Sequence, residues 1–186
     1  MSKLFVDEIV HQSSQGSGTI TLGASGETIN IPSGSTINLS NASVTLNSSM
    51  KSTPSFQAYL GTFQSIGVNT NTTVAIDTEE FDTDSAFNTS NYRFTVPSGK
   101  AGKYLFYGSI VMANFFAYAI CSIYKNGSEI RRGNAVRNDT SGVGCVALVD
   151  LAEGDYVTLN AYQDQSSQQL QQNSNFTYFG GFRLIG

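Results

Sequence analysis

A triplet of apolar, polar and apolar residues recurs four times between Thr19 and Leu46, and it limits what this part of the chain can form. Apolar residues two positions apart face the same side of a β-strand. The intervening segments GASGE, PSGS and SNAS form turns, so very short strands that repeatedly change direction are predicted. So small a fragment buries too little surface to offset its ordering entropy. Partner chains must therefore complete it.

Three copies around an axis would bury every apolar position of the triplets. We therefore predict an intertwined, prism-like trimeric β stem over residues 19–50. A flexible Ser/Gly/Asn-rich linker is the alternative, and it leaves the regular triplets unexplained. The predicted contacts between chains in the stem are Ile20, Leu22, Ile29, Ile31, Ile37, Leu39, Val44 and Leu46.

Residues 1–18 form a separate section that begins with the amphipathic LFVDEIV and continues as QSSQGSG. We expect it to be an anchor that docks on another protein. A frayed terminus that contacts nothing is the other interpretation, because chain ends are usually poorly ordered.

From residue 51 onward the pattern changes to longer strands that are rich in aromatic residues. Turn signals separate them, and Asn126-Gly127 is the strongest hairpin signal among these. This spacing is typical of a β-sandwich, so the fold class is predicted to be all-β, with a sandwich head over residues 51–186. We predict nine strands, at residues 56–62, 73–77, 92–96, 103–113, 118–124, 128–132, 144–151, 156–162 and 176–185.

Charge and hydropathy exclude several classes of partner. The net charge is −4 and the ten Lys and Arg residues are scattered, so we expect no nucleic acid partner. No stretch approaches the roughly 20 apolar residues that cross a bilayer, so no membrane insertion is expected. The first residues are too acidic for a signal peptide, which indicates a protein made in the cytoplasm. Cys121 and Cys145 lie in apolar runs and are predicted to be buried free thiols, with a disulfide or metal pair as the alternative.

The predicted head offers few residues for catalytic chemistry. His11 is the only histidine and lies in the N-terminal section, so the head has no Ser-His or Cys-His pair. A glycosidase needs two carboxyl groups a fixed distance apart across a cleft, which one loop rarely supplies. We predict a solvated acidic loop, no enzyme activity and no cofactor, with a Ca²⁺ site as the alternative. The acidic run in question contains Asp77, Glu79, Glu80, Asp82 and Asp84.

The head resembles the globular domain shared by complement component q and the tumour necrosis factor superfamily. The resemblance depends on the signature-like positions Asp82, Phe87, Phe94, Gly102, Tyr104 and Phe106. It extends to the hairpin at 124–127, the strand at 154–159, and Phe176 with Gly180, Gly181 and Phe182. This resemblance implies a trimeric jelly roll. In that fold, aromatic residues of the signature strand pack the core and the three-fold interface, and the candidates here are Tyr104, Phe106 and Phe182.

The stem is similar to the shafts of phage tail proteins, which begin with a short anchor and end in a receptor-binding head. This similarity implies a tail fibre of the virion, assembled in the host cytoplasm. Its N-terminus would join a tail or adaptor protein, and its head would attach to a glycan or protein of the host surface. A structural decoration or spacer of the virion is the alternative.

Three long connections of the head are candidates for the receptor site. The loops around residues 114–117, 133–141 and 163–175 are expected to cluster at one end of the sandwich, where loops on a rigid scaffold usually bind. The last loop is polar and almost uncharged, which suits hydrogen bonds to sugar hydroxyls. Phe115 and Phe116 would stack on a sugar or, alternatively, plug the trimer axis, and Arg137 would meet a phosphate or carboxylate. The predicted receptor-binding residues are Phe115, Phe116, Arg137, Asn138, Asp139, Gln165, Gln168, Gln169, Gln171 and Asn173.

Overall fold

The computed structural model describes residues 33–36, 40, 51–113, 116–139, 142–165 and 168–184. The chain forms two compact units, Met1–Val44 and Thr45–Gly186. In the first unit, the described residues 33–36 and 40 are exposed. The anchor at residues 1–18 and the eight predicted stem contacts lie outside the described residues, so both stay predictions. Those contacts are Ile20, Leu22, Ile29, Ile31, Ile37, Leu39, Val44 and Leu46.

The second unit is built from β-strands, and its described residues contain no helix. No apolar helix long enough to cross a membrane therefore occurs in the part of the chain described above. The strands are β1 Ser55–Tyr59, β2 Gln64–Ile66, β3 Thr72–Thr73, β4 Thr78–Asp82, β5 Phe87–Asn88, β6 Arg93–Thr95, β7 Gly102–Ile110, β8 Phe116–Lys125, β9 Ser128–Arg132, β10 Val136–Asp139, β11 Val143–Leu151, β12 Tyr156–Gln163, β13 Gln168–Leu170 and β14 Tyr178–Arg183.

Two antiparallel sheets make the sandwich. The five-stranded sheet has the order β11-β7-β14-β1-β4. The seven-stranded sheet has the order β10-β8-β12-β6-β5, with β3 paired to β12 and β9 paired to β8. The short strands β2 and β13 form a separate pair. The predicted all-β jelly-roll sandwich is confirmed.

An aromatic cluster joins the two sheets at the centre of the core. Phe56 of the first sheet stacks on Phe87 and Phe94 of the second, with ring centroids 4.8 and 5.2 Å apart. Phe106 and Phe179 complete the cluster, and Phe106 lies 5.3 Å from Phe94. Aromatic pairs with such geometry each contribute about 0.5–1.5 kcal/mol beyond the burial of their area. The spaced aromatic residues of the sequence thus fix how the sheets face each other.

Most of the predicted strands are present, but several short ones were missed. Eight of the nine predicted strands coincide with observed strands to within a few residues, whereas the segment 73–77 contributes only the end of β3. The short strands β2, β4, β5, β10 and β13 were not predicted. The acidic run was predicted to be a solvated loop; its solvent exposure agrees with the structure, whereas its assignment as a loop was wrong. Residues Thr78–Asp82 form strand β4, because they pair with β1 at the edge of the sheet.

The sandwich has two distinct ends. At the near end, the chain enters β1 at Ser55 beside Phe182, close to the end of β14. The far end is opposite, because β1, β7 and β12 all run towards it and β8 and β11 run away from it. Strand termini at the far end include Tyr59, Ile110, Val143 and Gln163.

A charged cluster links two hairpins at the near end. Lys125 Nζ lies 2.8 Å from Asp155 Oδ2, and Asn126 Nδ2 donates a hydrogen bond to Asp155 Oδ1 at 2.7 Å. The backbone N–H of Ala152 also donates to Asp155. The hydrogen bond from Lys125, followed by those from Asn126 and Ala152, lowers the pKa of Asp155 to about 2. The carboxylate is therefore stabilised in its charged form.

Candidate functional site

The side of the five-stranded sheet that faces away from the core carries a broad apolar surface, which we call the outward face. Residues paired directly across an antiparallel sheet point to the same side, so the strand register defines the rows of this face. The central row runs through Val146, Tyr107, Gly180, Gln57 and Phe81. The row on its near-end side contains Leu148, Leu105, Phe182 and Ser55, and the row on its far-end side contains Gly144, Ser109, Tyr178 and Tyr59.

Large apolar side chains remain exposed on this face. Val146 is 59% exposed, Leu148 is 57% exposed and Phe81 is 49% exposed. Tyr107 hydroxyl donates to Gln57 Oε1 at 2.7 Å, and burial raises the pKa of Tyr107. Val146 and Leu148 lie together on the edge strand β11, whereas Phe81 lies on β4 at the opposite edge of the sheet. Neighbouring exposed apolar residues such as Val146 and Leu148 mark surfaces for contact with another molecule.

A cavity of about 360 Å³ indents the outward face. It forms where Gly144 lacks a side chain, beside Ser109 and between the tyrosines. Tyr107 and Tyr178 meet edge to face with centroids 6.4 Å apart, and both line it. Asn134, from the connection after β9, closes one side.

The structure corrects the predicted interface residues in β7. Tyr104 and Phe106 have 0% exposure within the single chain, so neither side chain can contact a second copy. Tyr104 hydroxyl donates to the carbonyl of Lys100 at 2.6 Å, and burial raises the pKa of Tyr104 to about 12. The outward positions are Leu105 and Tyr107, one residue along, because neighbouring residues of a strand face opposite sides. Phe182 lies on the outward face and stays a prediction as an interface residue.

Described parts of the three predicted loops lie near one another at the far end. Strand β10 pairs with the start of β8, so Arg137 lies opposite Tyr118 and Asp139 lies opposite Phe116. Asn138 lies between them in β10. Asp164 N–H donates to the carbonyl of Tyr118, which joins the last loop to the same strand. What these segments bind stays a prediction, and Phe115 lies outside the described residues.

The glutamines of the last loop have unequal access to solvent. Gln165 is exposed, whereas Gln168 is 5% exposed and lies in β13, which leaves little of its side chain open to a receptor. Gln169 is half-buried and donates to Ser65 at 3.3 Å. Gln171 is half-buried beside β7, with its backbone N–H bonded to Val111. Asn173 is exposed.

Asn173 lies in a second cleft, of about 240 Å³, at the far end. Sequence reasoning identified Asn173 and the loop that contains Gln172 and Ser174. It missed Tyr59 and Gly61, because they lie more than a hundred positions away in the sequence. The proximity of Leu60 and Asn173, whose backbone groups bond at 2.8 Å, brings these segments together. The cleft is lined by Tyr59, Gly61, Gln172, Asn173 and Ser174.

Carboxylates of the acidic run are engaged within the fold. Asp77 Oδ1 accepts a hydrogen bond from Gly61 N–H at 2.6 Å, and Asp82 Oδ2 accepts one from Phe87 N–H at 2.7 Å. Asp84 forms an ion pair with Lys100 at 3.5 Å. Among the described residues, no group of three His, Cys, Asp or Glu side chains is placed to hold a metal ion.

Cys121 and Cys145 are buried free thiols that come together across the core. Their Sγ atoms lie 3.1 Å apart, although the cysteines belong to β8 and β11 in different sheets. The hydrogen bond to Cys145 and burial raise the pKa of the Cys121 thiol. The predicted buried free thiols thus agree with the structure, whereas their proximity could not be read from the sequence.

Comparisons with solved structures identify the fold as that of the tumour necrosis factor and complement component q heads. Murine APRIL superposes with a TM-score of 0.57 at 14% identity, over 70% of this chain and 98% of that one. The globular domain of zebrafish complement 1qA protein superposes with a TM-score of 0.53, also at 14% identity, over 70% of this chain and 97% of that one. No protein-family model and no curated protein matches the sequence. The likeness therefore shows the fold alone.

Proposed function

We propose that the chain is a non-enzymatic attachment protein of a phage virion, a tail fibre that forms homotrimers and binds the host surface with its head. The observation that carries the proposal is the presence of two different surfaces on one sandwich. An apolar sheet face suits contact with further copies of the chain. A polar end with an uncharged cleft lies opposite the point where the chain enters the head.

The outward face supports trimer formation. Val146 and Leu148 expose more than half of their surface, and Tyr107 and Tyr178 lie beside them. A stable oligomer buries an apolar surface of this kind, whereas in a monomer the surface stays in water and contributes no stability. The fold is similar to heads of a superfamily that assembles as trimers, and the triplet pattern of residues 19–50 calls for the same number of chains.

The far end supports attachment. Several chain segments meet there on a rigid framework, where binding residues are usually found. Three equivalent ends in one trimer would let weak sites add their effects through avidity. The hydrogen bonds made by Asp77 and Asp82 leave these carboxylates in structural roles, which favours binding over sugar cleavage.

The proposal is tested by adsorption. Purified, labelled protein is incubated with a panel of bacterial strains, and the strains that bind it are then challenged with the phage that carries it. We expect the protein to bind the host strain and to compete with the phage for adsorption. Virions that assemble and adsorb normally when the far end is altered would instead favour the structural decoration or spacer.

The altered far end should be made by point substitutions. Removing residues 163–175 would delete β13, whose Leu170 is fully buried, and would disturb the core. Release of reducing sugar from host polysaccharide would contradict the non-enzymatic assignment.

A further inference from the structure

We infer that the far-end cleft, formed by Tyr59, Gly61, Gln172, Asn173 and Ser174, binds one neutral hexose unit of a surface glycan. This inference rests on the proposed function, because it names the ligand class for the attachment surface. Five properties of the cleft favour a sugar as the ligand: its composition, its free polar groups, its backbone strain, its size and its charge.

The side chains that line the cleft match the chemistry of a sugar ring. Tyr59 supplies an aromatic ring with a polar hydroxyl, and Gln172 and Asn173 supply amides that both donate and accept hydrogen bonds. Ser174 adds a hydroxyl. Sugar hydroxyls also donate and accept, so amides and hydroxyls can pair with them in either direction.

Several of these polar groups are not used inside the fold. Among the described residues, none bonds the side-chain amide of Gln172, the Nδ2 of Asn173 or the hydroxyl of Tyr59. Asn173 Oδ1, in contrast, accepts from Asn175 N–H at 3.2 Å and from Ser174 hydroxyl at 3.4 Å. The donors of Asn173 and Gln172 are therefore available to a ligand.

The backbone of Asn173 is strained, with φ at 110°. Non-glycine residues rarely adopt this region, and such strain is concentrated at functional sites. The backbone is held there because Asn173 N–H donates to Leu60 and its carbonyl accepts from Phe176 and Thr177. Glycine would fit this backbone better, yet the chain carries an asparagine whose Nδ2 is unused within the described fold.

The size and charge of the cleft restrict the class of ligand that it can bind. Pockets for drug-sized ligands usually span about 300–1,000 Å³. The cleft, of about 240 Å³, is smaller and suits one sugar ring. Its lining is uncharged, and the Asp77 carboxylate lies behind it, bonded to Gly61 N–H at 2.6 Å. This negative charge disfavours acidic sugars, so the ligand is a neutral hexose.

The test measures the binding of methyl glycosides to the full-length protein by saturation-transfer NMR. The probes are methyl glycosides of glucose, galactose, mannose and N-acetylglucosamine, and methyl glucuronide is the acidic probe. We expect at least one neutral glycoside to bind and the glucuronide not to bind. Equal binding of the glucuronide would overturn the inference.

Two matched variants locate the site. Gln172→Ala removes a lining amide, and Asn71→Ala removes an exposed amide that does not line the cleft. We expect Gln172→Ala to weaken binding by about fivefold or more, as for the loss of one hydrogen bond, and Asn71→Ala to leave it unchanged. Equal effects of the two variants would place the sugar elsewhere and refute the inference.

Asn173→Gly separates ligand binding from folding. It removes the side-chain amide and also the backbone strain, so the melting temperature should stay the same or rise while glycoside binding falls. If glycoside binding falls only because the variant unfolds, the result counts against the site. If the labelled protein adsorbs to host cells but no neutral glycoside binds, the inference fails and the proposed function stands. If neither occurs, both fail.

Discussion

The outward face gives a quantitative prediction for the assembly of the protein. Replacing Val146 and Leu148 together by serine removes the two most exposed apolar side chains of this face. Burying a whole Val or Leu side chain contributes about 1.5–3 kcal/mol. Because these residues are 59% and 57% exposed in the single chain, contact with a neighbour would add about 0.9–1.7 kcal/mol for each.

A trimer contains six such side chains, so the double substitution should weaken assembly by about 5–10 kcal/mol. The trimer association constant would fall by roughly 10⁴- to 10⁷-fold. Because that constant depends on the square of the protein concentration, the midpoint of dissociation should shift by roughly 100- to 3,000-fold. Folding of the single chain should change little, since both side chains are exposed in it.

Multi-angle light scattering over a dilution series measures the shift. The full-length protein is expected at three times its chain mass of 19.9 kDa. Any contribution of the stem is the same in both proteins and cancels in the comparison. The control replaces Phe63 and Val68 by serine, because these are 51% and 46% exposed but lie outside the outward face. A double variant that dissociates at the same concentration as this control would refute the assignment of the face, and a monomeric native protein would refute the trimer itself.

Three further predictions concern stability and reactivity. The pKa of Asp155 is lowered from 3.8 to about 2 in the folded state, so its contribution to stability is complete above about pH 4 and is lost as the pH falls towards 2. Asp155→Asn should reduce the change in the free energy of unfolding between about pH 4 and pH 2, as measured by urea unfolding. Gly108→Ala should cost about 1–3 kcal/mol in the same assay, because its Cβ would lie 2.4 Å from a methyl group of Leu159, and an unchanged midpoint would contradict this packing. Cys121 and Cys145 should resist alkylation at neutral pH and react only after unfolding, as mass spectrometry can show, whereas rapid labelling of the native protein would contradict their burial.

Local patterns were sufficient to predict the long strands of the head. Continuous runs of apolar and aromatic residues predict β7 and β11, and the Asn126-Gly127 pair predicts the hairpin between β8 and β9. Both turn residues have positive φ, at 50° and 81°, which that type of turn requires. These features depend on residues close in sequence, so one sequence reveals them.

Side assignment and long-range contacts were harder to predict. Four consecutive residues of β7 are apolar or aromatic, namely Tyr104, Leu105, Phe106 and Tyr107, although only every second one faces the core. Hydrophobicity alone therefore does not distinguish core positions from surface positions. The short strands β2 and β13 exist because they pair with each other across about one hundred residues. The far-end cleft has the same origin, since Tyr59 and Gln172 are brought together by the fold.

The position of β1 has a mechanical consequence. It enters from residue 54 and lies inside the five-stranded sheet, hydrogen-bonded to β14 on one side and β4 on the other. A pull along this strand, with the far end held, loads both ladders in parallel, so their hydrogen bonds must break together. A strand at the rim of a sheet would instead peel away one bond at a time. In the proposed attachment role, this arrangement makes the head resistant to tension that enters through β1.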